Sequence, residues 1–335
     1  MKNKLLLCLV LLLTTTPLIL AQEQEGIDIL SGTVRRATAV RQKPAANQLI
    51  IKQLAANGTV RVLSPEPRNG FWRVILEGGR QGYVPATDIE LPEGATDAAG
   101  PTAAAASPPC APSLDECEIN GCAAPDSKRG LFNKAKNHQP TGTNARTLNF
   151  ADMKSLQQQA DAVVEQGTEL NQEQRDSLSN FTVSTGKVSE GRLVKLAGFI
   201  AKGLDPHPNT GESVNCRLKT ALNNDFHITL ALKSSHTEFQ GVVVEMIPHN
   251  RPAEWTIDKL KKVKQDKLLV MAIGNLFYDN DHVVNADPTD NLNGQPKRFS
   301  LWEVHPITKF FVCQKPNNAC SLTNTAQWTK LEDLQ

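Results

Sequence analysis

Apolar and polar residues alternate through Arg298–Cys313, RFSLWEVHPITKFFVC. Trp302 and Val304 fall on one side of an extended chain, and Leu301, Glu303 and His305 fall on the other. Four earlier apolar stretches carry strand character: Arg192–Ala201, Phe226–Leu232, Val242–Ile247 and Leu268–Phe277. Between the third and fourth, Thr256 is placed to cap a short helix running through Asp258, Leu260 and Val263. The order expected from residue 192 to 313 is therefore β-β-β-α-β-β. Period two assigns faces. Phe226, Ile228 and Leu230, then Val242, Val244 and Met246, then Trp302 and Val304 form a core, which turns Asp225, His227, Glu245, Glu303 and His305 toward solvent. The fourth stretch is apolar on both faces and is expected beneath helices, away from those five residues.

Upstream, Phe150, Met153, Leu156, Ala160, Val163 and Val164 recur at helical spacing, and Asn171 can cap a second helix reaching Phe181. This helical pair, 150–181, is expected to cover the barrel. Residues 33–91 hold five short apolar runs separated by Asn57-Gly58, Asn69-Gly70 and Glu77-Gly78-Gly79, the pattern of a small β-barrel. Between them, residues 92–109, PEGATDAAGPTAAAASPP, lack large apolar side chains and predict an Ala/Pro linker. Residues 110–149 are expected to be irregular and disulfide-tied, and 314–335 a tail. The fold class is mainly β.

The segment ATAVRQKPAANQLIIKQLAANGTVRVL, the turn and strand Asn69-Gly70-Phe71-Trp72-Arg73-Val74 and the run Gly82-Tyr83-Val84 together resemble a bacterial SH3 domain over 33–91. That resemblance implies binding of a cell-wall peptide or envelope partner without catalysis. Arg41 stands where the family has an arginine after its first strand, with Pro44 at the turn. Trp72 is expected in the core, and Tyr83 is expected to expose an edge for ligand. A domain of this kind can also serve purely as a spacer. The element order of the C-terminal half resembles an OB fold, a five-stranded, partly open barrel, although the chain carries no OB sequence signature. The resemblance implies that strands two, three and five are neighbours and that their outer face holds ligand. The wording GESVNC, DFHITL and LWEVHPITK is similar to exported bacterial proteins of unassigned activity, which supplies no mechanism.

The start of the chain sets the compartment. Lys2 and Lys4, the apolar run Leu5–Leu20 and a cleavage site after Ala21 have the form of an export signal over 1–21. Thr14, Thr15, Thr16 and Pro17 interrupt the run and weaken a membrane-anchor reading, and Leu7 before Cys8 is too large for a lipid-attachment site. After signal removal no transmembrane segment is expected. Six cysteines then remain in an extracytoplasmic chain, so disulfides are the default. Spacing favours Cys313–Cys320 and Cys110–Cys117, which leaves Cys122 for Cys216; fifteen pairings are possible in principle. Cys216 could instead be a nucleophile beside His227, but the wall endopeptidases that accompany bacterial SH3 modules carry theirs in an Asp-Cys-Ser-Gly setting, which VNCRL does not match. The balance of 36 basic against 35 acidic residues offers no global field to nucleic acid or anionic lipid.

Candidate chemistry concentrates on the polar face of the C-terminal strands. His227, Glu245 and His305 could hold a divalent metal with an open position for water, with Asp225 as a further ligand or as the group that fixes the His227 tautomer. Glu245 and Glu303 are the candidate acid–base groups, and Arg298 could bind an anion. The competing reading is that solvent-facing strand positions are polar because they must be. The long loops Gly203–Asn224 and Asp279–Lys297 flank this face, and the second lacks EF-hand spacing. Nucleic-acid binding would need stacking aromatics and a basic groove. Aromatics are 5% of the chain, and Lys259, Lys261, Lys262 and Lys264 form the wet face of a helix, so nucleic acid is a weak candidate. No Gly-x-Ser-x-Gly, His-Glu-x-x-His or Walker loop is present. The leading expectation is an exported, envelope-associated binding protein; the alternative is a metal-dependent hydrolase of phosphodiesters or esters.

Overall fold

The computed structural model describes residues 30–41, 44–46, 48–62, 67, 70–76, 81–92, 110–206, 211–290 and 296–335. The export signal and, apart from Pro92, the linker expected at 92–109 lie outside the described residues.

The N-terminal part is a seven-stranded antiparallel sheet: β1 Leu30–Val34, β2 Thr38–Arg41, β3 Ile50–Leu54, β4 Thr59–Val62, β5 Phe71–Ile75, β6 Gln81–Pro85 and β7 Ile89–Glu90. The spatial order is β3-β2-β6-β5-β4-β1-β7, two strands more than the five apolar runs predict. Alternation along β1, β2, β4 and β5 buries Val34, Val40, Val60, Val62, Trp72 and Val74 around one core, so Trp72 lies where expected. Asn57 adopts a left-handed conformation, φ 64°, at the Asn-Gly turn between β3 and β4.

Buried Asp88 ties the turn after β1 to the start of β7. It accepts from Thr38 Oγ1 at 2.6 Å and from Arg36 Nε at 2.7 Å. Burial works to raise its pKa, but the Thr38 and Arg36 donors outweigh burial and hold it below the ordinary carboxylate value. A depressed folded-state pKa contributes stability above the unfolded value, near about pH 4, that is lost as pH falls through the folded value. Asp88→Asn is therefore expected to cost about 1–2 kcal/mol at pH 7 and progressively less in acid. Hydrogen exchange at the β1 and β2 amides, followed against pH in both proteins, reads this; parallel acid profiles would refute it.

The remainder follows in the order α1 Lys128–Lys136, β8 Arg146–Leu148, α2 Phe150–Ala160, α3 Gln172–Asp176, β9 Phe181–Val183, β10 Gly186–Val188, β11 Leu193–Pro206, β12 Phe226–Ala231, β13 Gly241–Met246, α4 Ile257–Gln265, β14 Leu269–Tyr278, β15 Trp302–Val312 and β16 Thr329–Lys330. Capping boxes open α2 at Asn149/Asp152 and α3 at Asn171/Gln174, and Thr256 caps α4. Asn171 is the expected cap, but its helix stops at Asp176 instead of reaching Phe181. Leu178 drops into the core, Asn180 turns left-handed at φ 59°, and Phe181 opens a strand whose ring meets Trp302 edge-on at 5.9 Å.

β11, β12, β13, β15 and β14 form a closed five-stranded barrel. β11 pairs with both β12 and β14, β13 and β15 run parallel, and the other pairs are antiparallel. β11 closes the ring by pairing with β14 through Phe199 and with β12 from Phe199 onward. Two glycines permit the crowding. A side chain at Gly198 would meet Phe150 and the Ala231 carbonyl, and one at Gly274 would strike the Pro306 carbonyl. The interior holds Ile228, Leu230, Val242, Val244, Trp302 and Val304, and α2 and α4 supply Met153, Leu156, Leu260 and Val263 to the same core. No helix among the described residues is long and apolar enough to cross a membrane.

Two expectations are corrected. Residues 110–149 are not irregular throughout: Ser127 caps α1 by accepting from Gly130 N. And β14 does not lie away from the charged face, because Phe277 is the register partner of Glu303 and Asn275 Nδ2 donates to the His305 carbonyl at 2.8 Å.

Candidate functional site

Asp225, just before β12, His227 on β12, Glu245 on β13 and Glu303 and His305 on β15 share one face of the barrel, as strand phase requires. His227 and Glu245 are register partners, and Val244 pairs with Val304, which sets Glu245 beside Glu303 and His305. The expected exposure is overturned. Asp225, Glu245, Glu303, His305 and Arg298 are all at most 5% exposed, and the His227 side chain is 16% exposed.

The cover is α1 with the chain before it. Phe132 packs edge-on against Phe277 at 5.3 Å. Ala135 O accepts from Asn275, and Lys136 O accepts from His305 Nδ1 at 2.8 Å. Two disulfides hold this roof, and they are not the pairs that sequence distance favours. Cys110 bonds Cys122 and Cys117 bonds Cys216; Cys313–Cys320 forms as expected. The cause is tertiary. The Cys122 amide donates to Ser213 O at 3.0 Å, and Cys117 then stands beside Cys216, with Cα atoms 5.8 Å apart. Cys216 is thereby a bridge and not a thiol nucleophile.

Lys136, at the end of α1, reaches into the face. Its Nζ is 2.9 Å from Glu212, 3.8 Å from Asp225 and 3.7 Å from Glu245. Burial works against its charge, but Glu212, Glu245 and Asp225 prevail and hold its pKa well above the ordinary value. His305 Nε2 lies 3.1 Å from Asp225 Oδ2 and 2.9 Å from Glu245 Oε2. Here too burial opposes the charge, and the Glu245 carboxylate prevails, pushing the imidazole up to about 10. Glu245 is held well below the carboxylate range by Lys136 and His305 in spite of its burial. Burial and the Glu245 charge push Glu303 up to about 7.

Arg298 is buried in a second knot, paired with Glu303 and with Asp279, and Asp279 also meets His282 Nδ1 at 2.5 Å. An arginine so engaged is committed to the fold and does not present its charge to an anion. In the N-terminal sheet, Tyr83 is 3% exposed and cannot offer the expected edge, because it sits between its register partners Arg41 and Arg73. Arg41 is half-buried and donates from Nη1 to Gln48 O at 3.0 Å.

One donor atom from each of His305, Asp225 and Glu245 lies within 4.8 Å of the others, and the three could hold a metal ion. The expected set of His227, Glu245 and His305 is thus altered: His227 approaches the far oxygen of Glu245, and Asp225 takes its place. Lys136 and Asn215 were missed. A capped amphipathic segment, Ser127 followed by Leu131, Phe132 and Ala135, was the signal for the first; nothing in the sequence marks the second.

No family model matches the chain, and no curated protein matches it. Among solved structures it is similar to NlpC2 from Trichomonas vaginalis, at 12% identity over 67% of this chain and 69% of that one, with a TM-score of 0.16. So low a score carries no argument about fold or activity. The fold and the site define a mainly β chain with a closed five-stranded barrel and a roofed acid–imidazole cluster.

Proposed function

We propose that this chain is an exported, envelope-associated binding protein. Its N-terminal sheet, taken as SH3-like, docks to a wall or protein component, and its C-terminal barrel, taken as OB-like, supports a second ligand site. Three disulfides support an oxidising, extracytoplasmic setting. The strand order of the barrel supports the OB-like assignment.

The observation that carries binding over hydrolysis is the roof. A hydrolytic metal centre keeps a coordination position open to water and substrate. Here α1, Lys136 and the Cys117–Cys216 bridge close that approach. Open space lies instead beside the roof, where two clefts of about 530 and 390 Å³ share His138. The larger is bounded by Thr141–Asn144, Gly191 and Arg192, a polar lining suited to hydrogen-bonding ligands. Nucleic acid is not proposed: the aromatics of the charged strands are buried, Trp302, Phe310 and Phe311 on β15 and Phe226 on β12, the last with the Arg251 guanidinium 3.7 Å above it.

The test is retention of the mature chain on purified bacterial cell-wall material. Arg41→Ala and Arg192→Ala are each expected to weaken retention roughly ten-fold, the scale of a charge-assisted hydrogen bond, with the melting temperature unchanged for Arg192→Ala and lowered slightly for Arg41→Ala by loss of the bond to Gln48 O. Retention unchanged in the double variant would reject both surfaces. Turnover of bis-p-nitrophenyl phosphate by the metal-loaded chain would establish the hydrolase reading in its place.

A further inference from the structure

We infer that Asp225, Glu245 and His305 form a closed, non-catalytic site for one divalent transition-metal ion, zinc foremost, that clamps the disulfide-tied roof onto the barrel. The inference does not depend on the binding reading.

The first ground is orientation. Each of the three side chains has its outward atom held by a separate group. Asn215 Nδ2 donates to Asp225 Oδ1 at 3.0 Å, His227 Nδ1 meets Glu245 Oε1 at 3.1 Å, and His305 Nδ1 donates to Lys136 O at 2.8 Å. Of the atoms left over, Oδ2 and Oε2 both stand next to Nε2. Groups that fix the far atom of each ligand are the usual support of a metal site.

The second ground is spacing. Nε2 stands 2.9 and 3.1 Å from the two oxygens. Tetrahedral donors about 2.0–2.2 Å from an ion lie roughly 3.3–3.6 Å apart, so each oxygen has to draw back from Nε2 by only a few tenths of an ångström to admit one.

The third ground is an unmet need. Glu245 Oε2 is buried and has no aligned hydrogen-bond donor, although Nε2 is close to it. A buried carboxylate oxygen in that condition is costly unless a cation supplies the missing interaction. His305 Nε2 approaches it at 2.9 Å but off the N–H direction, and an ion that takes the place of that proton would bind both atoms. Lys136 does not supply it either. Its ammonium hydrogen-bonds Glu212 at 2.9 Å and stays 3.7 Å from Oε2. Two carboxylates balance the charge of a divalent ion, while Lys136 and Glu212 balance each other.

Donor chemistry narrows the ion. One imidazole with two carboxylates fills three of zinc's four positions and leaves the fourth for one enclosed water, whereas magnesium and calcium call for more oxygen donors and waters than this roofed site offers. The role follows from what the orienting groups belong to. Lys136 O comes from α1, and Asn215 is adjacent to Cys216, whose bridge to Cys117 anchors the roof. Filling the site therefore fixes both attachments of the roof at once.

The experiment uses the full mature chain, exported with its disulfides formed and purified without chelator. Elemental analysis is expected to give about one zinc per chain, and Asp225→Asn and Glu245→Gln to reduce it to less than a tenth. His227→Gln is expected to weaken zinc affinity 10- to 100-fold while leaving one site at saturation. Chelator should lower the melting temperature of the wild-type chain reversibly and leave that of Asp225→Asn unchanged. Should the variants fail to fold, cobalt(II) loaded into the wild-type chain decides: visible bands of a low-symmetry nitrogen–oxygen site at one equivalent support the inference. A folded wild-type chain that stays empty in ten-fold excess zinc, with a melting temperature indifferent to zinc and chelator, overturns it. So does zinc that persists in Asp225→Asn/Glu245→Gln.

Discussion

Replacing His305 by alanine is expected to destabilise the protein by roughly 3–5 kcal/mol, the cost of removing one partner from a buried charged cluster. The imidazole is completely buried and contacts Asp225, Glu245 and the Lys136 carbonyl. Its loss strands two carboxylates beneath the roof, and Lys136 is too far from either to form a hydrogen bond. Urea unfolding of wild type and variant under oxidising conditions measures the difference. Trp302→Ala is the reference for scale. It empties a core site between Phe181 and Tyr278 and is also expected to cost about 3–5 kcal/mol. A His305→Ala cost within about 0.5 kcal/mol, the range of exposed substitutions, would mean that the face is open in solution.

Loss of the Cys117–Cys216 bridge, through Cys117→Ser with Cys216→Ser, is expected to be the most damaging of the disulfide removals. The bridge spans 99 residues, against 12 for Cys110–Cys122 and 7 for Cys313–Cys320. In the chain-entropy account a loop near one hundred residues contributes about 4–5 kcal/mol and one of seven about 2–3 kcal/mol. The roof should also loosen locally, because α1 is joined to the 213–216 turn by that bridge and by Asn133 Nδ2 donating to Ser213 Oγ at 3.0 Å. Denaturation of the double-serine variants and hydrogen exchange at the α1 amides read both effects. Equal losses for the long and short bridges, with α1 exchange unchanged, would reject the assignment of Cys117–Cys216 as the anchor.

Much of the barrel was legible in the chain. Period two placed Trp302 and Val304 inside and put Asp225, His227, Glu245, Glu303 and His305 together on the opposite face, because side-chain direction along a strand is a local consequence of backbone geometry. Thr256 and Asn171 announced their helices, since a capping side chain bonds within three residues of itself. The same locality explains the misses. Alternation says which residues share a face but not what lies on it. Nothing within reach of Glu245 or His305 in sequence discloses that Lys136, more than a hundred positions away, covers them.

The small N-terminal sheet divides in the same way. Apolar runs and the Asn57-Gly58 turn marked its strands, yet the register that buries Tyr83 between Arg41 and Arg73 comes from the pairing of β2, β5 and β6. The cysteines are the sharpest instance. Their even number, on the expectation of export, implied three bridges, and proximity named the local one at Cys313–Cys320. The other two partners were chosen by the docking of Cys122 on Ser213, a contact between segments some ninety residues apart. By itself, then, the sequence determined strand phase, helix starts, core composition and the gathering of acids and imidazoles on one face, all set by interactions within a few residues. Tertiary structure alone decided that this face is roofed, which cysteines join, and which three atoms converge, because each depends on contacts made across the fold after the strands have paired.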